Sequence, residues 1–395
     1  MWGPVPAAWH NGAMPVGRRL AFVITVWTIC LPASRLIAVA GQGAGRAREA
    51  YSRAIELEAE GNNPAALSLL WEAAGLAPDD PDIQNRLGEA LERIGALDAA
   101  IAAYRQAVSE RPAFRKASNH LILALVKAGQ SREAVQRARA LVALAPDDAD
   151  RYFTLGLAQS EQDVVDAVES FRKVLALAPR HTLARYNLAL VLKRTDRLPE
   201  ALDELDHALA IEPRPEAYYT RGVIYWHLGD LDRATTALGD AVAAEPRFAE
   251  AYEALGSVLK AKRDWPAAAA ALRRAIALQP GLSSAHYTLG QVLRMNGEES
   301  AARTELAEAE RLRTHARLEQ EATMWTAAGT RKLDSGDLAG ALELFARAAA
   351  LNDTYAPAHY QMGRTLQRLG QQQAARRAFA KAAALNPSLV APRDP

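Results

Sequence analysis

Apolar and small residues recur along this chain with a helical spacing and are interrupted at regular intervals. From Ala251 the order Leu255-Gly256, Leu259, Ala268, Leu272, Ala275 leads to Pro280. The same order runs Leu87-Gly88, Leu91, Gly95, Ala100, Tyr104, Ala107 to Pro112, and again Met362-Gly363, Leu366, Gly370, Ala375, Phe379, Ala382 to Pro387. Steps of three and four residues place these positions on one helix face, so each stretch predicts two amphipathic helices joined by a turn. Proline recurs at Pro78, Pro112, Pro146, Pro179, Pro213, Pro246 and Pro280, in steps of 33 or 34 residues. Proline cannot continue a helix and restricts the residue before it, so each marks the end of a second helix. Gly95, Gly129, Gly229, Gly297, Gly336 and Gly370 fall at the middle of their periods, where a helix C-cap calls for a left-handed residue.

A fixed period of this length is the signature of a repeat array, which sets aside the two or three globular domains that 395 residues would otherwise suggest. Small residues on both helices let the backbones approach, and the Leu, Tyr or Phe one turn on fills the groove. Ten copies can be counted, roughly 47–80, 81–114, 115–148, 149–181, 182–214, 215–248, 249–282, 283–316, 322–355 and 356–389. The pattern resembles the tetratricopeptide repeat (TPR) family over nearly all of 47–389. That resemblance implies an all-α fold, a right-handed α-solenoid (superhelix) of about ten helix-turn-helix repeats, with first helices lining a concave surface.

One irregularity breaks the period. Thr314 stands where a proline is due, and the next repeat ends at Asn352-Asp353, 39 residues on instead of 34. Neither glycine nor proline occurs from Ser300 to Ala328, and Glu308/Arg311, Glu310/Arg313 and Arg317/Glu321 stand at helical neighbour spacings. The second helix of repeat eight is therefore expected to run on through an inserted stretch, 317–321, into repeat nine. The solenoid would change direction there, leaving eight repeats (47–316) plus two (322–389).

The first forty residues carry a different pattern. Arg18 and Arg19 precede an apolar run from Leu20 to Ala33, and Ala38-Val39-Ala40 gives a small-x-small site before Gly41. This reads as an export signal over 1–40, with a compact n-region if the true start is Met14, followed by a linker at 41–46. Two alternatives stand beside it: an uncleaved membrane anchor over 20–40, and a mis-assigned start with no targeting. The first predicts a periplasmic or secreted protein. Cys30 is the sole cysteine and lies in the apolar run without the small residue that lipidation needs, so the mature chain would have no thiol and no disulfide.

Composition adds mainly exclusions. The net charge of +1 gives no bias toward nucleic acid, and any membrane contact would come through the N-terminal anchor. The histidines are dispersed without zinc spacing, and the glycines follow the repeat, not a phosphate-binding loop. No catalytic residue, cofactor or metal is expected, and 390–395 leaves no room for a catalytic domain.

The expected function is a non-catalytic scaffold for protein–protein interaction, exported or envelope-associated. An alternative is a regulatory subunit or assembly factor for an envelope enzyme or a polysaccharide export or modification system. The resemblance places Phe153, Tyr186, Tyr219 and Tyr287 at one inward position of successive first helices, with Lys193, Arg194, Trp226, His227 and Arg294 farther along the same helices. Tyr, Trp and Arg dominate binding energy at interfaces, so these residues predict a groove for a protein or extended peptide, centred on repeats four to six. Tyrosine is common at that position in TPR sequences, so the ladder also has a purely structural reading. Lys116, Asn119 and Lys127 match a terminal-carboxylate clamp only poorly. The tail after residue 389 cannot form the polar capping helix that solenoids usually carry, which leaves the C-terminal repeat to fray or to meet a partner, another copy included.

Overall fold

A computed structural model describes residues 33–387 and 389, with side chains from 43 onward. Met14, Cys30 and the run Leu20–Leu31 lie outside the described residues, and so does the tail. The described chain is helical throughout, and it divides into two compact units between Ala128 and Gly129.

The first unit holds α1 (Ala33–Ala59), α2 (Asn63–Leu76), α3 (Pro81–Arg93), α4 (Leu97–Glu110) and α5 (Arg115–Lys127), each packed on the next. The second begins with α6 (Ser131–Leu144), α7 (Ala149–Gln159), α8 (Val164–Leu177), α9 (Thr182–Arg194), α10 (Leu198–Ile211), α11 (Pro215–His227) and α12 (Leu231–Ala244). It continues with α13 (Ala249–Ala261), α14 (Trp265–Leu278), α15 (Ser283–Met295), α16 (Glu299–Asp334), α17 (Leu338–Leu351), α18 (Ala356–Arg368) and α19 (Gln372–Leu385).

Local chemistry explains the boundaries. Every periodic proline stands two residues past the end of a second helix, as Pro78 does after Leu76 and Pro280 after Leu278. Several N-termini are capped by a side-chain oxygen, with Asp230 accepting from the Arg233 amide at 3.0 Å and Asp337 from the Gly340 amide at 2.9 Å. The six mid-repeat glycines all have positive φ, between 72° and 84°. In repeats five and seven Asp196 (φ 58°) and Arg263 (φ 63°) occupy that left-handed turn instead.

Packing within a hairpin depends on the first-helix glycine. A Cβ on Gly88 would lie 2.4 Å from the ring of Tyr104, and one on Gly256 would lie 2.6 Å from Cγ of Leu272 and 3.2 Å from the Ala268 carbonyl oxygen. The large residue of the second helix thus sits directly on the glycine, and the small residue one turn before it brings the backbones close. Tyr104, Phe171, Leu238, Leu272 and Phe345 are fully buried in this way.

Two features of the fold bear on the expected layout. Residues 41–46, expected as a linker, are helical, because α1 starts at Ala33 and leans on α2 there. Gly43 faces the Leu76 carbonyl, and Arg46 reaches Glu72 at 3.7 Å. The inserted stretch after repeat eight lies within α16, a single helix of 36 residues, about 54 Å long at 1.5 Å per residue. No residue between Ala309 and Ala322 is buried, and Arg311–Glu308 and Arg313–Glu310 pairs, both at 2.6 Å, line its surface. Elsewhere in the second unit a second helix packs sideways on the next first helix. Here the two are one continuous rod, so lateral stacking is interrupted between repeats eight and nine.

Candidate functional site

The predicted groove residues sit on α7, α9, α11 and α15, all in the second unit. Phe153, Tyr186 and Tyr219 are half-buried, and the structure spends them largely on packing. Phe153 lies 5.9 Å from the Phe171 ring and 4.8 Å from His181; Tyr219 lies 5.2 Å from Phe248. Tyr186 packs against the core formed by α8, α9 and α10. Burial pushes the Tyr219 phenol above its ordinary pKa, helped by Glu253, Glu250 and the neighbouring Tyr186. These rungs are neighbours, and they join repeat to repeat.

The residues two turns farther along are the accessible ones. Trp226 is 38% exposed, and His227 beside it is exposed too. Lys193 is half-buried, while Arg194 at the end of α9 is exposed and donates to the backbone carbonyls of Ser160 and, at 3.3 Å, Glu161. Tyr287 is 41% exposed but carries the Arg313 guanidinium over its ring at 5.5 Å, and Arg294 stands 4.0 Å from Glu299. Trp226 and His227 at the end of α11, with Arg194 one repeat earlier, are the part of the predicted set that offers ring face and charge to a partner.

The first unit contains a polar cavity of about 520 Å³ that sequence reasoning did not assemble. Its walls come from Glu89 and Glu92 on α3, Tyr104 on α4, and Lys116, His120 and Lys127 on α5. Asn85 donates to Glu89 at 2.8 Å, Lys116 reaches the same carboxylate at 2.7 Å, and the His120 ring nitrogen lies 3.2 Å from the Asn85 oxygen. Tyr104 donates to Glu92 at 3.0 Å, and Lys127 pairs with Glu92 at 2.5 Å. Burial alone would raise the Glu89 pKa, but the hydrogen bond and charge of Lys116, with His120 and Asn85, hold it below the usual carboxylate value. Burial lowers the pKa of His120 and so favours the neutral ring, and burial together with the bond to Glu92 pushes Tyr104 upward. Lys116 and Lys127, the weak match to a carboxylate clamp, each lie against a glutamate of the preceding first helix. A signal was present in the sequence, since Glu58/Arg93 and Glu92/Lys127 are each 35 residues apart, one repeat plus one. Among the described residues no group of three or more His, Cys, Asp or Glu is arranged to hold a metal ion. Nor is any described helix long and apolar enough to cross a membrane.

Sequence patterns described as tetratricopeptide repeat match residues 38–113, 158–221, 219–283, 253–316 and 356–389, well over half of the chain. This protein belongs to the tetratricopeptide repeat family. Among solved structures, a TPR protein from Parabacteroides merdae is 18% identical; the match covers 63% of this chain and 99% of that one, with a TM-score of 0.52. A TPR protein from Thermus thermophilus is 24% identical over 45% of this chain and 98% of its own, with a TM-score of 0.41. YrrB, described as a TPR protein with an unusual peptide-binding site, is 20% identical over 44% of this chain and 91% of its own, with a TM-score of 0.40. The first of these likenesses shows a shared TPR solenoid fold. The family's repeats serve as scaffolds for protein interaction, and the helical hairpins described above are built accordingly.

Proposed function

We propose that this TPR protein is an exported scaffold that grips an extended segment of a partner protein where α9 and α11 end. The observation that carries this reading is Trp226. The aromatic rungs Phe153, Tyr186 and Tyr219 are half-buried in inter-repeat packing, whereas Trp226 is 38% exposed, with His227 exposed beside it. A partly exposed tryptophan beside an exposed histidine gives a stacking surface and a cation–π acceptor for a partner. The scaffold acts by holding its partner and contributes no chemistry of its own.

The test is binding by the purified protein to a partner captured from an envelope extract, compared with Trp226→Ala and His227→Ala. Each variant is first checked for parental helicity by circular dichroism, since Trp226 is only partly exposed. Loss of a central aromatic anchor weakens binding by about 2 kcal/mol or roughly thirtyfold. A partner bound equally by parent and Trp226→Ala would move the site elsewhere. Export is tested separately, by sequencing the amino terminus of the protein recovered from its native cells: Gly41 supports cleavage after Ala40, and an intact start supports the anchor.

A further inference from the structure

Interior repeats join through a recurring pair of positions. On each first helix it is the residue two after the glycine position; on the preceding second helix it is the residue three before the large residue. Ile101 and Ala124, Val168 and Val191, and Ala269 and Val292 are such pairs, and all six are buried. Val168 and Val191 share one apolar cluster, and Ala269 and Val292 share another. Leu342 on α17 and Thr365 on α18 fill the same pair between repeats nine and ten, with Thr365 fully buried.

Three places break the rule, all by charge. Between repeats eight and nine the pair is Arg303 and Arg331, both exposed. Two like charges would face each other if repeat nine stacked on repeat eight, which fits the continuous rod of α16 found there. On repeat ten the second-helix member is Arg376, exposed on α19; on repeat one the first-helix member is Glu56, exposed on α1. Glu56 pairs only locally in this surface, with Arg53 one turn back at 2.7 Å. By the rule that joins the laterally stacked repeats, the residue meeting Arg376 would be the one that Glu56 is in repeat one.

The surrounding charge follows the same division. Repeat ten, 356–389, contains Arg364, Arg368, Arg376, Arg377 and Lys381 and no Asp or Glu. Repeat one, 47–80, contains seven carboxylates against two arginines, in a chain whose net charge is only +1. Fully apolar end faces would collapse on any hydrophobic surface. Charged ends of opposite sign select each other.

We propose that copies of this protein associate head to tail, the α19 face of repeat ten in one copy docking on the α1 face of repeat one in a second copy, with Arg376 against Glu56. The contact is heterologous, so it builds an open chain, or a ring where the rotation closes. It goes beyond the partner-binding reading and does not depend on Trp226.

The experiment is sedimentation of the purified protein against concentration at low and high salt, beside Arg376→Glu and Glu56→Arg, each checked for parental helicity by circular dichroism. The parent is expected to exceed the 42.7 kDa of one chain as concentration rises, and to return toward it at high salt, where surface charge is screened. Each single variant places like charges across the contact and should associate about tenfold more weakly or less. An equimolar mixture of the two variants restores opposite charges at every junction and should associate like the parent. A parent that stays monomeric at low salt overturns the proposal. So does association that persists in Arg376→Glu or at high salt, which would point to the apolar N-terminal run or another face, and so does a mixture that fails to recover.

Discussion

The closest approach in each hairpin can be tested with two glycines on adjacent helices. Gly256 lies in α13 and Gly239 in α12, both inside their helices. Replacing a helix-interior glycine with alanine lowers the backbone entropy lost on folding and stabilises by about 0.5–1 kcal/mol where space allows. At Gly239 nothing lies within 4 Å of the added Cβ, so Gly239→Ala should show that gain. At Gly256 the new methyl would stand 2.6 Å from Cγ of Leu272, a side chain with no exposure, and 3.2 Å from the Ala268 carbonyl oxygen. Overpacking of that kind costs about 1–3 kcal/mol, so Gly256→Ala should destabilise by about 0.5–2 kcal/mol despite the same propensity gain. Urea denaturation followed by helical circular dichroism reads both, and hydrogen exchange in α13 and α14 localises the loss. A cycle with Leu272→Ala isolates the clash, since most of the penalty of Gly256→Ala should vanish once the leucine is gone. If Gly256→Ala instead stabilises as much as Gly239→Ala, the packing account of the repeat is wrong.

Arg263 adopts the left-handed turn at φ 63°, so Arg263→Gly should stabilise by about 0.5–1 kcal/mol in thermal unfolding, while Gly297→Ala, at φ 84° with open space around it, should cost about 1 kcal/mol. Burial lowers the pKa of His120 from 6.5, so its contribution to stability is present above that value and is lost as pH falls through the lower folded pKa. Urea midpoints of the first unit should therefore drop as pH falls from about 7 to 5, and His120→Gln should flatten that slope; an unchanged slope would remove His120 as the cause. Trp226→Ala gives up the packed part of a ring that is 38% exposed and should cost about 1–2 kcal/mol in urea unfolding while keeping native helicity, so a loss of partner binding reads the surface once parental circular dichroism is shown.

Much of the local architecture was legible because each signal acts within a few residues. Proline ends a helix wherever it stands, a left-handed glycine closes one, and the spacing of Leu, Gly and Ala fixes which faces are buried. The ends of the second helices, the positive φ of all six mid-repeat glycines and the run of helix across 300–328 follow from those rules. The groove was less legible. A tyrosine at a repeated inward position can serve packing or binding, and only the neighbours decide: Phe171 and His181 engage Phe153, Phe248 engages Tyr219, and no such ring was found on Trp226 among the described contacts.

By itself, then, the sequence determined the repeat, its period, its family and the position of its interruption, since these depend on periodicity and on backbone preferences intrinsic to Gly and Pro. Tertiary structure decided what periodicity cannot carry. It set the helical course of residues 43–46 against α2, and it joined Glu89, Glu92, Lys116, His120 and Lys127 from different helices into one cavity. It also left the charged side chains of Glu56, Arg303 and Arg376 exposed among the described residues. Exposure and charge pairing depend on which side chains meet across a repeat, and that meeting exists only once the helices are packed.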